Sequence, residues 1–177
     1  VIMLSIRGEN VIKTKKQGLL IVLSGPSGCG KNTICNALKE INHNVWESIS
    51  MTSRKIRPNE VDQKDYYFVS KEAFEQCIQE DKMLEYASFA GNYYGTPKEA
   101  VQKQLDQGKD VILVIEIQGA LQIKEKLPQA LFVFLLPPSM QELRNRLEKR
   151  KTESEDKMME RFQIAYREIN ELPKYNY

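Results

Sequence analysis

The stretch Leu19-Leu-Ile-Val-Leu-Ser-Gly-Pro-Ser-Gly-Cys-Gly-Lys-Asn-Thr33 runs five apolar residues into a glycine-rich turn and then a lysine. Leu19 to Leu23 is apolar without alternation, the pattern of a parallel strand buried on both faces. Ile34 to Lys39 continues as a helix. Between them Gly25, Gly28 and Gly30 let the backbone turn tightly and aim N–H groups inward, because glycine takes positive φ without steric penalty. Such donors, with the positive end of the helix dipole, hold phosphate oxygens, and Lys31 would place its ammonium on the bridging and terminal phosphates. The spacing fits G-x-x-x-x-G-K. Asn32 stands where that pattern wants Ser or Thr to meet a metal ion, and Thr33 supplies a hydroxyl one residue later.

The 177 residues suffice for one domain with a full core and a small insertion or lid. Net charge is +2, from 26 basic and 24 acidic residues, which suits a soluble protein and argues against nucleic acid or a membrane surface as partner. Anion specificity must then come from local arginine placement. Cys29, Cys35 and Cys77 fit neither a disulfide framework nor a zinc site, and read as a reducing, cytoplasmic compartment. No apolar run approaches the roughly 20 residues that span a bilayer, and no signal-peptide pattern precedes the first strand.

Residues 1–17 carry Arg7, Lys13, Lys15 and Lys16 among brief apolar patches and read as a loosely packed N-terminal extension. After the first helix, Val45 to Ser50 alternates as a short strand ending in hydroxyls. Arg54 and Arg57 follow, three apart just beyond that strand. Their guanidinium forks suit a shared phosphate, and a solvated arginine pair is the other reading. Asp65 to Val69 reads as a β segment, and Ser70 as the N-cap of the next helix, with Glu72 and Glu75 near its start. Met83 to Phe89 is a further strand carrying Glu85 among apolar neighbours. Gly91 to Pro97 reads as a tight aromatic loop delivering two phenols and a hydroxyl, with Pro97 opening a helix that Gly108 closes. Val111 to Ile115 is a second fully apolar run, expected beside the phosphate-loop strand, with Glu116 at the carboxyl end where open α/β sheets bind ligands. Leu131 to Leu136 is a third, stopped by Pro137-Pro138. Ser139 then caps a helix with apolar positions Met140, Leu143 and Leu147, while Arg144 reads as solvated. Cys29 reads as a small filler of the loop, although a helix N-terminus beside a thiol lowers its pKa.

Taken together, these residues resemble the guanylate kinase family. The likeness covers Gly18 to about Leu172 and rests on Ser24-Gly-Pro-Ser-Gly-Cys-Gly-Lys31, Ser53-Arg-Lys-Ile-Arg57, Lys64-Asp-Tyr-Tyr-Phe-Val-Ser70, Gly91-Asn-Tyr-Tyr-Gly-Thr96, Ile117-Gln-Gly119 and Leu136-Pro-Pro-Ser139. It implies an α/β P-loop kinase three-layer fold with a central parallel sheet (core 18–50 and 98–145), an inserted GMP-binding subdomain (51–97) and a mobile lid (about 146–161). The reaction implied is phosphoryl transfer from ATP to GMP or dGMP with Mg²⁺, in a monomer or homodimer. By the same resemblance Gly25, Pro26, Ser27, Gly28, Cys29, Gly30, Lys31, Asn32 and Thr33 would bind ATP. Ser50, Arg54, Arg57, Tyr66, Glu85, Tyr94 and Thr96 would bind GMP, and Lys31, Arg54, Arg146, Arg150 and Arg161 would be catalytic. The chemistry agrees at Glu85: guanine presents N1–H and an exocyclic amine on one edge, and a carboxylate accepts both.

The chain departs from the family at two places. Family members usually carry two acids, separated by one residue, at the end of the strand before Gln-Gly. Here that place reads Val114-Ile-Glu116, so no direct metal ligand is assigned and Glu116 is left to reach Mg²⁺ through water. Beyond Asn176-Tyr177 related kinases continue into a last strand and a closing helix, which the given residues do not include. The alternative functions are a guanylate-kinase-like protein-binding module and a P-loop kinase for another phosphorylated metabolite. Such modules tend to lose the phosphate loop, whereas Gly25, Gly30 and Lys31 remain here.

Overall fold

The computed structural model describes residues 2–6, 9–13, 17–89, 91–149 and 155–177, with the backbone alone at 2–6, 9–13, 149, 155–158 and 161. Strands β1 (Ile2–Ile6) and β2 (Glu9–Lys13) form an antiparallel hairpin in which Leu4 faces Val11. The sequence reading expected only a lead-in here. The Ile and Val residues of these short patches are strand formers, and the scattered lysines obscure them.

The phosphate-loop strand is β3 (Leu20–Ser24), followed by α1 (Lys31–Ile41) and β4 (Val45–Glu47). A second set of elements comprises β5 (Met51–Thr52), β6 (Tyr67–Phe68), α2 (Lys71–Gln79), β7 (Met83–Phe89) and β8 (Asn92–Pro97). The chain returns through α3 (Lys98–Asp106), β9 (Asp110–Val114), α4 (Ile117–Lys126) and β10 (Leu131–Phe134), then α5 (Met140–Lys149) and α6 (Glu155–Ile169). As expected, β9 lies beside β3; β10 flanks β3 on its other side, and the sheet order is β10-β3-β9-β4, all parallel.

Alternate residues of each central strand enter opposite cores, which is why the runs are apolar throughout. Val111 and Leu113 of β9 pack with Val22, Phe132 and Ile123 on the side covered by α3 and α4. Ile112 packs with Leu23 and Cys35 on the side covered by α1. The result is a helix, sheet, helix sandwich. The outer edge of β10 is paired by the last residues, with Phe134 N–H donating to the Tyr177 carbonyl at 2.7 Å.

Residues 51–97 build a mixed sheet of order β6-β5-β8-β7. Two expectations are corrected here. The aromatic stretch after Gly91 is strand β8, hydrogen-bonded to β7 over its length, rather than a loop. Its two phenols therefore diverge, because successive strand residues face opposite ways: Tyr93 stacks on Phe74 at 5.3 Å, and Tyr94 meets Tyr66 at 6.2 Å. Ser70 and Ser139 do cap helices, accepting from Ala73 N–H at 3.1 Å and Glu142 N–H at 3.0 Å.

The two sheets meet where α4 grips the edge of β7. Gln122 pairs with both backbone groups of Tyr86, accepting from its N–H at 3.2 Å and donating to its carbonyl at 2.7 Å, and Lys126 donates to the Leu84 carbonyl at 3.0 Å. An edge strand that would otherwise expose unpaired backbone is thus closed by a helix.

Candidate active site

The turn from β3 into α1 is built on glycine. Gly25, Gly28 and Gly30 have φ of 146°, 90° and 106°, values that L side chains rarely adopt. Gly25 also passes so close to the Leu135 carbonyl that a Cβ would collide with it. Lys31 opens the helix, and its Nζ donates back to the Gly25 and Pro26 carbonyls at 2.5 and 3.2 Å. An ammonium is therefore held at the mouth of a ring of backbone groups. Ser27 and Gly30 line the same turn, and Asn32 and Thr33 are exposed on the first turn of α1. Pro26 and Cys29 are buried beneath it. Burial pushes the Cys29 thiol up, against the opposing pull of Lys31, so Cys29 fills space and is not an activated nucleophile.

Helix α5 brings Arg146 over this turn. Its Nε pairs with Glu142 at 2.8 Å, and its Nη1 donates to the Cys29 carbonyl at 3.2 Å. Leu143 and Leu147, one turn apart, lie against Gly28. Arg144 on the opposite side is exposed and pairs with Glu148 at 2.9 Å, as expected of a solvated position. Arg150 lies outside the described residues, as does the side chain of Arg161 on α6.

On the second sheet the arginine and tyrosine residues converge. Arg54 lies over the Tyr66 ring, 5.5 Å from its centroid, and over Phe68 at 5.6 Å, and the Tyr94 hydroxyl bonds the same guanidinium. Arg57 follows on an exposed turn. Burial, then the neighbouring Tyr94, pushes the Tyr66 phenol up. Deeper in, Glu85 of β7 and Thr96 of β8 are register partners, and Thr96 Oγ1 donates to Glu85 Oε1 at 2.6 Å. Glu85 is 4 % exposed, and burial raises its carboxyl while Thr96 and Lys126 pull it back. Ser50 holds β6 through its carbonyl, which accepts from Tyr67 N–H at 2.9 Å.

The Glu116 carboxylate at the end of β9 lies within electrostatic reach of the cradle, adding the smallest push to the raised Tyr66 phenol of the second sheet. A glycine turn carrying a lysine, an arginine and tyrosine cradle and a buried carboxylate are groups that suit transfer of a phosphoryl group between two phosphorylated ligands. By contrast, a cavity of about 410 Å³ lined by Leu19, Pro128, Leu131 and Tyr177 opens at the amino ends of β3 and β10, away from this chemistry.

The family model for guanylate kinases matches residues 17–177. The chain belongs to the guanylate kinase family. Similar proteins include the guanylate kinase of Caldanaerobacter subterraneus subsp. tengcongensis, 58 % identical over 92 % of this chain and 79 % of the relative. The guanylate kinase of Clostridium tetani is 57 % identical over 92 % and 77 %. The crystal structure of guanylate kinase from Anaplasma phagocytophilum superposes with a TM-score of 0.72 at 34 % identity, covering 92 % of this chain and 76 % of that one. A guanylate kinase is a nucleoside monophosphate kinase, and ATP-dependent phosphoryl transfer comes with the family. Among the described residues no helix is long and apolar enough to cross a membrane.

One site-facing acid escaped the sequence reading. Glu168 of α6 is half-buried toward Lys31 and Glu116. Burial, then Glu116, pushes its carboxyl up to about 7 against the pull of Lys31. The signal was present: Glu168 is three residues from Ala165, the buried position of α6 that packs on Leu143 and Leu147, so both share one helix face. Among the described residues no group of three acids, histidines or cysteines is arranged to hold a metal. Mg²⁺ needs no such group, since it keeps several waters and is held mainly through nucleotide phosphates and one or two carboxylates.

Proposed function

We propose that this chain transfers the terminal phosphoryl group of ATP to GMP or dGMP, giving ADP and the corresponding diphosphate. The observation that carries the reading is the buried Glu85 carboxylate, bonded by Thr96, which shares a face of β8 with Tyr94 of the arginine and tyrosine cradle. A carboxylate accepts both N1–H and the exocyclic amine of guanine, and adenine has no such donor pair. Arg54, Arg57, Tyr66 and Tyr94 hold the acceptor phosphate, and Ser50 and Thr96 complete base recognition. The turn from Gly25 to Thr33 holds the donor phosphates, with Lys31 leaving the Gly25 and Pro26 carbonyls for the phosphate oxygens.

Little covalent work falls to the protein in such a transfer. Holding donor and acceptor in line and neutralising charge account for most of the rate. Arg146 is already placed over the loop, and Arg150 and Arg161 join it as a lid of about residues 146–161 closes. Residues 51–97 act as the acceptor subdomain on a core of 18–50 and 98–145. Closure of both excludes water and limits wasteful ATP hydrolysis. Glu116, through water, would hold Mg²⁺ beside the ATP phosphates, where the cation would supply charge neutralisation.

The test is Mg²⁺-dependent ADP formation with GMP, AMP, UMP or no acceptor, with Lys31→Ala as control. Strong GMP dependence, falling by at least about a hundred-fold in the control, is expected. Folded protein that turns over no acceptor would sink the enzyme in favour of the binding module. Turnover with another acceptor and not GMP would sink the guanine assignment alone.

A further inference from the structure

The Arg54 guanidinium is anchored along one edge. Its Nη1 donates to Glu60 Oε2 at 2.9 Å and to the Lys55 carbonyl at 2.8 Å, and its Nη2 donates to Glu60 Oε1 at 2.8 Å. A guanidinium carries five N–H groups in a planar fork. Those three bonds leave the Nε–H and the second Nη2–H, neighbours on the other edge, for the Tyr94 hydroxyl, which also bonds this guanidinium, and a ligand to share. The Glu60 carboxylate also takes the Arg57 backbone N–H at 2.8 Å, and the Glu60 N–H donates to the Arg57 carbonyl at 3.1 Å. One acid therefore ties both cradle arginines into a single turn. The pair is well covered, with the Arg54 side chain 12 % and the Glu60 side chain 20 % exposed.

We propose that Glu60 is a positioning residue for the acceptor phosphate: by clamping one edge of Arg54 and the backbone of Arg57, it presents the remaining Arg54 edge, Nε–H with Nη2–H, to two oxygens of the acceptor's phosphate. This rests on the assignment of Arg54 to that phosphate. The geometry suits the role because a guanidinium can be bidentate on both edges at once. The Tyr66 and Phe68 rings against which Arg54 lies keep the plane from swinging. A different role for the same carboxylate would be to occupy the phosphate's place until substrate displaces it. Displacement would forfeit two guanidinium bonds and the bond to the Arg57 N–H together, whereas the other Arg54 edge is reachable without breaking any of them. The two roles predict opposite signs, since removal of a competing anion tightens acceptor binding and removal of a clamp loosens it.

The experiment is steady-state kinetics on the full chain, with GMP varied at saturating ATP and the reverse, for Arg54→Ala, Glu60→Gln, Glu60→Ala and the Arg54→Ala/Glu60→Ala double variant. Competition by guanosine, which lacks the phosphate, is measured alongside. For Glu60→Ala the GMP KM is expected to rise about ten-fold or more. Its ATP KM and guanosine affinity are expected to stay within about two-fold, which also shows that the variant is folded. Glu60→Gln, which keeps one acceptor oxygen, is expected to fall between. In the Arg54→Ala background the Glu60 change should add at most about two-fold, because the two act as a unit. A lower GMP KM in either Glu60 variant overturns the clamp in favour of the competing anion. Equal losses for GMP and guanosine, or an unchanged GMP KM while Arg54→Ala is impaired, overturn it while leaving the cradle assignment standing. An unchanged GMP KM in Arg54→Ala sinks the cradle assignment and this proposal with it.

Discussion

On the proposed reading, Glu85 concentrates the base-reading chemistry in one side chain. Its carboxylate is buried, takes a hydrogen bond from Thr96 and is raised by desolvation, so the fold bears the cost of an acid held away from water. Guanine's two donors would offset that cost on binding under this reading. Glu85→Gln keeps the size and one acceptor, but turns an NH₂ group toward a donor edge. We expect the GMP KM to rise about ten- to a hundred-fold, with the ATP KM unchanged. Equal changes for the two nucleotides in steady-state kinetics would count against Glu85 as the guanine reader. Thermal stability of the ligand-free variant should match or exceed that of the parent, because a buried ionisable group has been removed.

The element that sets Glu85 in place is α4, whose third residue, Gly119, abuts the Glu85 carboxylate so closely that a Cβ would overlap Oε2. Gly119 sits on a helix and needs no special backbone conformation, so its role is space. Gln122 and Lys126, further along the same helix, hold the β7 backbone against it. Gly119→Ala should therefore push Glu85 off its Thr96 partner and cost about 1–3 kcal/mol by overpacking. Differential scanning calorimetry would read the lower Tm, and kinetics a raised GMP KM. An alanine variant with unaltered Tm and GMP KM would show that the helix and strand can part freely. At this scale the chain was partly legible. Strands β3 and β9, the helix caps at Ser70 and Ser139 and the start of β7 at Met83 followed from local pattern. Strand β8 was missed because its Asn, Gly and paired Tyr residues read as a turn, and only pairing with β7 and β5 makes them a strand.

Across the whole molecule, α6 brings Glu168 within electrostatic reach of Glu116 and Lys31, so that two carboxylates are crowded. Glu168 carries the consequence for stability. Its ordinary value of 4.5 in the unfolded chain rises to about 7 in the fold. An acid raised by folding binds its proton more tightly in the native state, so it costs no stability below about pH 4.5. The cost grows through the window up to pH 7 and is complete above it. Glu168→Gln should accordingly raise Tm at pH 8 and leave it nearly unchanged at pH 4.5, in parallel melts of variant and parent without nucleotide. A gain of equal size at both pH values would mean that the charge is not the cause. Local pattern alone specifies the buried parallel strands, the phosphate turn with Lys31 and the helix starts, because an apolar run, a positive-φ glycine and a hydroxyl before a helix each act within a few residues. The roles of Glu60, Glu168 and Gly119 belong to the tertiary structure. Each depends on which side chain another element or turn brings opposite, and an acid or a glycine in sequence has no local mark that names its partner.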